Sequence, residues 1–226
     1  MAIRKSQDRK FFDHGWLKTY HTFSFASYFD PKFIGYRNLR VINEDSVDAN
    51  HGFPAHDHKD MEIISIVLEG DLSHKDSMGN ESILHSNEIQ VMSAGTGITH
   101  GEFNPSKTHP AHFLQIWIQP DTKGIAPRYQ QSKLPSETNE WHLLASKNGP
   151  LPIQQDVSLY YLNLETGKQA ERSTAPQRYG WLQVIEGDVS YNETLLHKGD
   201  GVSIEPNTTI NLLAKSPSRL LFFDLN

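Results

Sequence analysis

The chain has 226 residues, twelve histidines, no cysteine and a net charge of −6. That length makes one large domain or two small ones, and either buries a core without cross-links, since a chain of this size hides roughly 70% of its unfolded surface. Without thiols there is no disulfide framework, zinc finger, iron–sulfur cluster or cysteine nucleophile, and the acidic balance excludes binding nucleic acid or an anionic membrane by bulk charge.

The first residues, MAIRKSQDRK, are charged and lead into no apolar stretch, so they do not read as a signal peptide. The apolar runs stay short, as in Ile63–Leu68, well under the ~18 residues a membrane helix needs. These features predict a cytoplasmic protein. The pattern is that of strands almost throughout. In chain order the candidates are Arg37–Ile42, Glu62–Leu68, Ile89–Met92, Ala111–Ile118, Leu159–Asn163, Gly180–Ile185, Gly201–Ile204, Thr209–Leu213 and Arg219–Asp224. Each is short, rich in β-branched and aromatic residues, and bounded by turn chemistry such as Glu69-Gly70-Asp71 and Glu186-Gly187-Asp188. The best helical candidate is one short segment at Glu140–Ala145. The aromatic stretch Tyr20–Phe33 reads as core and edge packing rather than a substrate platform. Many short strands at even spacing predict an all-β barrel or sandwich.

The chain also repeats itself. Ile66–Leu72 matches Gln183–Val189 at an offset of 117, and His85–Ile89 resembles His197–Gly201 at 112. Two ordered matches at nearly one offset predict a duplicated unit of about 100 residues. The stretch 122–152 carries Pro127, Pro135, Pro150 and Pro152 and few strand signals, which makes it the natural connection.

Eight of the twelve histidines lie between His51 and His112, where even placement would put about three. The spacing gives this bias a meaning. Residues two apart on a strand share a face. His56 and His58 can therefore hold one ion from one strand, and His100 and Glu102 from another. Facing each other, the two pairs make a site of three nitrogens and one oxygen with positions left for substrate or water. The other histidines carry no such pattern. His14, His74, His85, His109, His142 and His197 read as surface or turn residues, and His21, His51 and His112 are left unassigned.

Gly52-Phe53-Pro54-Ala55-His56-Asp57-His58 with Glu62 and Gly70 resembles the first motif of the cupin superfamily, and Gly97–His100 with Asn104 resembles the second. The segments Gly15–Leu17, His21–Pro31, Gly52–His58, Met92–Glu102 and Leu114–Ile118 together resemble the pirin family more closely. The resemblance spans about the first 120 residues and is loose beyond them. It implies an all-β bicupin, two tandem antiparallel β-barrels of jelly-roll type. The N-terminal metal barrel would cover residues 1–125, a connection 126–152, and a degenerate, metal-free barrel 153–226. It implies His56, His58, His100 and Glu102 as metal ligands. It also implies, for bacterial members, a quercetinase-like dioxygenase that opens a flavonol ring with O2 and releases carbon monoxide; animal pirins are instead nuclear, iron-dependent transcriptional cofactors.

Glu62 stands four residues past His58 and would face the same side on a regular strand. General cupins use a glutamate there as ligand, whereas pirins use the later one that Glu102 matches. We take Glu102 as ligand and as base for the flavonol hydroxyl proton, with Glu62 as an inward carboxylate that orients a histidine. The cofactor expected is one divalent transition metal, Fe(II) first, with Mn, Co, Ni, Cu and Zn also compatible with the donors. The expected partners are a small flavonol-like aromatic and O2, with no nucleic acid and no membrane, in a monomer or weak homo-oligomer. Two alternatives stand beside this reading: a metal- or redox-sensing regulator that binds a protein partner, and a cupin enzyme acting on another small molecule. In the second half the repeat places Ser173, Ala175 and Tyr179 at the positions of His56, His58 and Glu62, and motif matching places Asn211 at that of His100.

Overall fold

The computed structural model describes residues 2–226. In chain order the strands are β1 (Ile3–Arg4), β2 (Lys10–Asp13), β3 (Leu17–His21), β4 (Leu39–Val47), β5 (Gly52–His58), β6 (Glu62–Glu69), β7 (Asp71–Asp76) and β8 (Glu81–His85). Then come β9 (Glu88–Ser93), β10 (Ile98–Phe103), β11 (Ala111–Ile118), β12 (Arg128–Lys133), β13 (Trp141–Ser146), β14 (Leu151–Pro152) and β15 (Val157–Leu164). The last are β16 (Gln169–Ser173), β17 (Tyr179–Glu186), β18 (Asp188–Tyr191), β19 (Thr194–His197), β20 (Gly201–Ile204), β21 (Thr209–Ala214) and β22 (Ser218–Leu225). The only helix among the described residues is one 3-10 turn at Ser6–Asp8. None is long and apolar enough to cross a membrane.

The chain forms two compact units. One comprises Lys10–Leu134 with Ile153–Gln155; the other comprises the residues through Arg9, Pro135–Pro152 and Asp156–Asn226. The first holds a seven-stranded sheet, β12-β9-β6-β11-β4-β3-β2, and a four-stranded sheet, β5-β10-β7-β8. The second holds β1-β20-β17-β22-β15-β13-β14 and β16-β21-β18-β19. The order β9-β6-β11-β4 thus recurs as β20-β17-β22-β15, and β5-β10-β7-β8 as β16-β21-β18-β19, as the internal repeat predicts. The matched turns recur as well. Gly70 and Gly187 both have φ near +75° (+74° and +78°) and each meets a backbone oxygen, of Pro110 and of Pro217, at the place a Cβ would occupy. Only glycine suits that combination.

β6 and β17 are central strands, each buried along most of its length, which explains their unbroken apolar sequences. The segment Glu140–Ala145 is not helical. It falls in β13, which pairs with β15 from Trp141 to Ser146. Its Trp-His-Leu-Leu run is too short for periodicity to separate a strand from a helical turn, and the neighbouring strand decides. β12 also lies in the proline-containing stretch; Arg128-Tyr-Gln-Gln-Ser-Lys has a weak hydrophobic signal because it is an edge strand. The aromatic stretch divides: Phe23 is buried, whereas Phe29 is 70% exposed.

Strand parity defines the interior of the first unit. Ile63, Ser65 and Val67 of β6 face the four-stranded sheet, as do Gln90 and Met92 of β9 and Phe113, Gln115 and Trp117 of β11, because these residues pair across the ladders. Apolar clusters lie at both ends of this interior. Val47, Val67, Leu72, Leu84 and Phe113 form one, and Ile63, Met92, Ala94 and Ile98 the other. Between them runs a polar row, one side chain per strand: Asn43, Gln115, Ser65 and Gln90.

Candidate metal centre

His56 and His58 project from β5, the edge strand of the four-stranded sheet. β10 runs beside it, with His100 opposite His56 and Ile98 opposite His58. The register shifts between His56 and Phe53, where β5 carries one extra residue opposite the His100–Glu102 step. Pro54 sits in that bulge, and an edge bulge is where a residue without an N–H is tolerated. The bulge also serves the site, because the Pro54 carbonyl accepts a hydrogen bond from His56 Nδ1 at 2.8 Å. A carbonyl can only accept, so Nδ1 carries the proton and Nε2 keeps its lone pair for a ligand. Gly52 allows β5 to lie this close, since a Cβ there would meet the Glu102 carbonyl oxygen and Phe103 Cα at 2.3 and 2.5 Å.

The three imidazoles converge. Ring centroids are 4.7 Å apart for His56–His58, 4.6 Å for His56–His100 and 5.0 Å for His58–His100, and their candidate donor atoms all lie within 4.8 Å of one another. Burial depresses His100 to about 3, helped by His56 and His74, and depresses His58 to about 4, helped by His100 and His56. Both rings are therefore neutral at neutral pH, the form that binds a metal. His100 is 1% exposed and both its ring nitrogens lack a hydrogen-bond partner. Buried polar atoms left unpaired in this way call for a ligand. Trp117 closes one side, its ring edge-on to His58 at 5.0 Å.

Glu102 lies one pleat beyond His100 and is 1% exposed. Its Oε1 accepts from Ser65 Oγ (3.0 Å) and Gln90 Nε2, and its Oε2 from Gln115 Nε2 (2.8 Å). The polar row thus anchors this carboxylate. Glu102 groups within 4.8 Å with His100 and with His74, rather than with His56 and His58. Of the four residues expected to share one ion, three imidazoles converge tightly and the carboxylate joins through His100.

An open depression of about 390 Å³, lined by Asp57, His58, Lys59, Ser77 and Thr99 among others, lies on the solvent side of His58. A larger one of about 690 Å³ lies in the other unit around Gln169, Asn192 and Asn211, and no histidine lines it. Converging donors, not volume, locate the chemistry.

The model of the pirin family matches residues 3–118, and that of the quercetinase C-terminal cupin domain matches 143–225. The chain is 44% identical over 225 residues to the quercetin 2,3-dioxygenase of Escherichia coli K12, covering 99% of this chain and 97% of that one. The chain belongs to the pirin family. A pirin-like protein of Caulobacter vibrioides is 36% identical over 218 residues, 94% of each chain. The crystal structure of the E. coli bacterial pirin YhhW in complex with nickel(II) superposes with a TM-score of 0.95 at 44% identity, covering 99% of this chain and 98% of that one.

In this pirin, Glu62 is not an inward carboxylate. The turn at Lys59–Met61, with Asp60 at φ +50°, carries the chain from the four-stranded sheet to the seven-stranded one, so the parity counted from His58 is lost. Glu62 lies on the face of β6 opposite Ser65, where Oε2 accepts from Ser93 Oγ at 2.6 Å. Burial raises its pKa, and the Ser93 hydrogen bond opposes that only in part. His74 departs from expectation in the other direction. It is buried, not a surface or turn residue, stacked on Tyr129 at 4.4 Å and bonded through Nε2 to Asp76 Oδ2 at 3.1 Å. The signal was there in the alternation Leu72, His74, Asp76, all buried along β7. Ser65, Gln90 and Gln115 were also legible, as single polar residues at interior parity in otherwise apolar strands. His14, His85, His109 and His197 are exposed as expected, and His142 is half-buried.

The second unit's equivalents also need correction by one residue. Tyr191 pairs with Leu212 where His74 pairs with Glu102, so Ile210, not Asn211, stands at the position of His100. Arg172 pairs with Ile210 and so replaces His56, one residue before Ser173. A one-residue slip moves a side chain to the opposite face, and Asn211 is accordingly exposed.

Proposed function

We propose that the chain is a metal-dependent cupin dioxygenase of the quercetinase type, with closed barrels in both units and the metal site in the N-terminal one. His56, His58, His100 and Glu102 hold one divalent transition metal, Fe(II) first and Ni, Mn, Co, Cu or Zn as alternatives. The observation that carries the reading is His100, a buried imidazole with both nitrogens unpartnered amid two further imidazoles and a carboxylate. The bound ion supplies Lewis acidity toward a chelating hydroxyl and carbonyl pair and access to O2. The protein supplies the rest. The neutral rings of His58 and His100 need no deprotonation before binding. Pro54 fixes the tautomer of His56. Glu102 is the catalytic base, taking the flavonol 3-hydroxyl proton, and the row Ser65, Gln90 and Gln115 sets where its lone pairs point. Trp117 excludes water from one flank of His58. The flavonol takes up O2, and its ring opens with loss of carbon monoxide.

Metal analysis and flavonol absorbance in air test the proposal. Wild type is expected to retain one equivalent of metal and bleach the flavonol, and His100→Ala to do neither. Full metal content in His100→Ala would overturn the site, and loaded wild type that leaves the absorbance unchanged would overturn the activity.

A further inference from the structure

His74 stands outside the ligand set above, yet it is built like a metal-binding histidine. Asp76 fixes one of its ring nitrogens. The Asp76 Oδ1 accepts from the backbone N–H groups of Met78 (2.9 Å) and Asn80 (3.1 Å), and Oδ2 accepts from Asn80 Nδ2 (2.8 Å) and bonds His74 Nε2. A carboxylate held this firmly orients the imidazole bonded to it, and such a pair is the usual backing of a ligand histidine. Tyr129 fixes the ring plane by stacking, and its own hydroxyl is held by Ser82 and Gln131.

The other nitrogen, Nδ1, is buried and has no partner. A structural histidine at 1% exposure would satisfy both nitrogens or leave one in water. His74 lies in a cluster with His100 and Glu102 in which one candidate donor atom from each residue falls within 4.8 Å of the others. All three residues are buried, whereas His56 and His58 are half-buried on an edge strand.

We propose that His74, backed by Asp76, forms with His100 and Glu102 a second, inner donor set for the same divalent metal, sharing His100 and Glu102 with the outer set that His56 and His58 complete. The outer set receives the ion at the solvent side, and the inner set retains it. This rests on the reading of His100 and Glu102 as ligands, which His100→Ala tests by itself.

Co(II) is the probe, followed by calorimetry, visible absorption and release into excess chelator. Wild type is expected to bind one Co(II). The His56→Ala/His58→Ala double variant is expected to keep one Co(II), bound more weakly than in wild type and with a changed absorption spectrum. Adding His74→Phe, which preserves the stacking on Tyr129, is expected to remove that binding. His74→Gln alone keeps a donor for Asp76 and leaves the outer set intact; it is expected to speed Co(II) release by about 10-fold or more. The proposal fails if the folded double variant binds no Co(II), if it binds equally well with His74→Phe added, or if His74→Gln releases the ion at the wild-type rate. Wild-type Co(II) binding in His100→Ala would instead sink the underlying site.

Discussion

The two units share a strand order and differ in what they place at its centre. Across β4, β11, β6 and β9 the interior row reads Asn43, Gln115, Ser65, Gln90. Across the matching β15, β22, β17 and β20 it reads Tyr160, Phe222, Leu182, Val202. Gln115, Ser65 and Gln90 of the first row hydrogen-bond Glu102. The second belongs to an apolar cluster with Leu162, Val184, Tyr191, Leu212 and others. Where His56 stands in the first unit, Arg172 stands in the second. Its guanidinium lies 3.4 Å from the ring centroid of Tyr160, 5.0 Å from that of Phe222 and 5.6 Å from that of Trp141. One scaffold therefore offers two centres. Polar residues hold a carboxylate beside converging imidazoles in one, and aromatic faces enclose a cation carried by the chain in the other.

The sharpest way to break the contrast is to write the second row into the first. Ser65→Leu, Gln90→Val and Gln115→Phe together would strand the Glu102 carboxylate without donors. A buried charge losing its partners costs about 3–5 kcal/mol, so a large drop in the urea midpoint is expected. The reverse test is Arg172→Ala, which empties the aromatic enclosure. It is expected to cost about 2 kcal/mol, with Arg172→Lys recovering part of that, in the same denaturation measurement.

The smallest effect is in pH. In the metal-free protein His58 and His100 sit at about 4 and 3, below the 6.5 of an unperturbed histidine. The unfolded chain therefore binds more protons between those values, and stability falls as pH drops from about 6.5 toward 4. Asp45 works against this. Burial, reinforced by Glu102 and Glu44, raises it to about 7, so it favours the fold at low pH and loses that contribution as pH rises from about 4 to 7. Thermal melting of metal-free Asp45→Asn should thus show a steeper rise from pH 4 to 7 than wild type. An unchanged slope would remove Asp45 from the balance.

The sequence by itself determined the all-β class, the duplication and the pairing of His56 with His58 and His100 with Glu102. These follow from local rules: β-branched runs between glycine turns, an offset repeat, and the two-residue period of a strand. Only the tertiary structure decided which faces those strands present. Glu62 lost its parity at a turn between sheets, and Asn211 lost it by one residue of register. His74 gained a buried place because β7 pairs beside β10. Parity along one strand is local, but the partner across the ladder and the sheet beyond a turn are set by contacts between residues far apart in the chain.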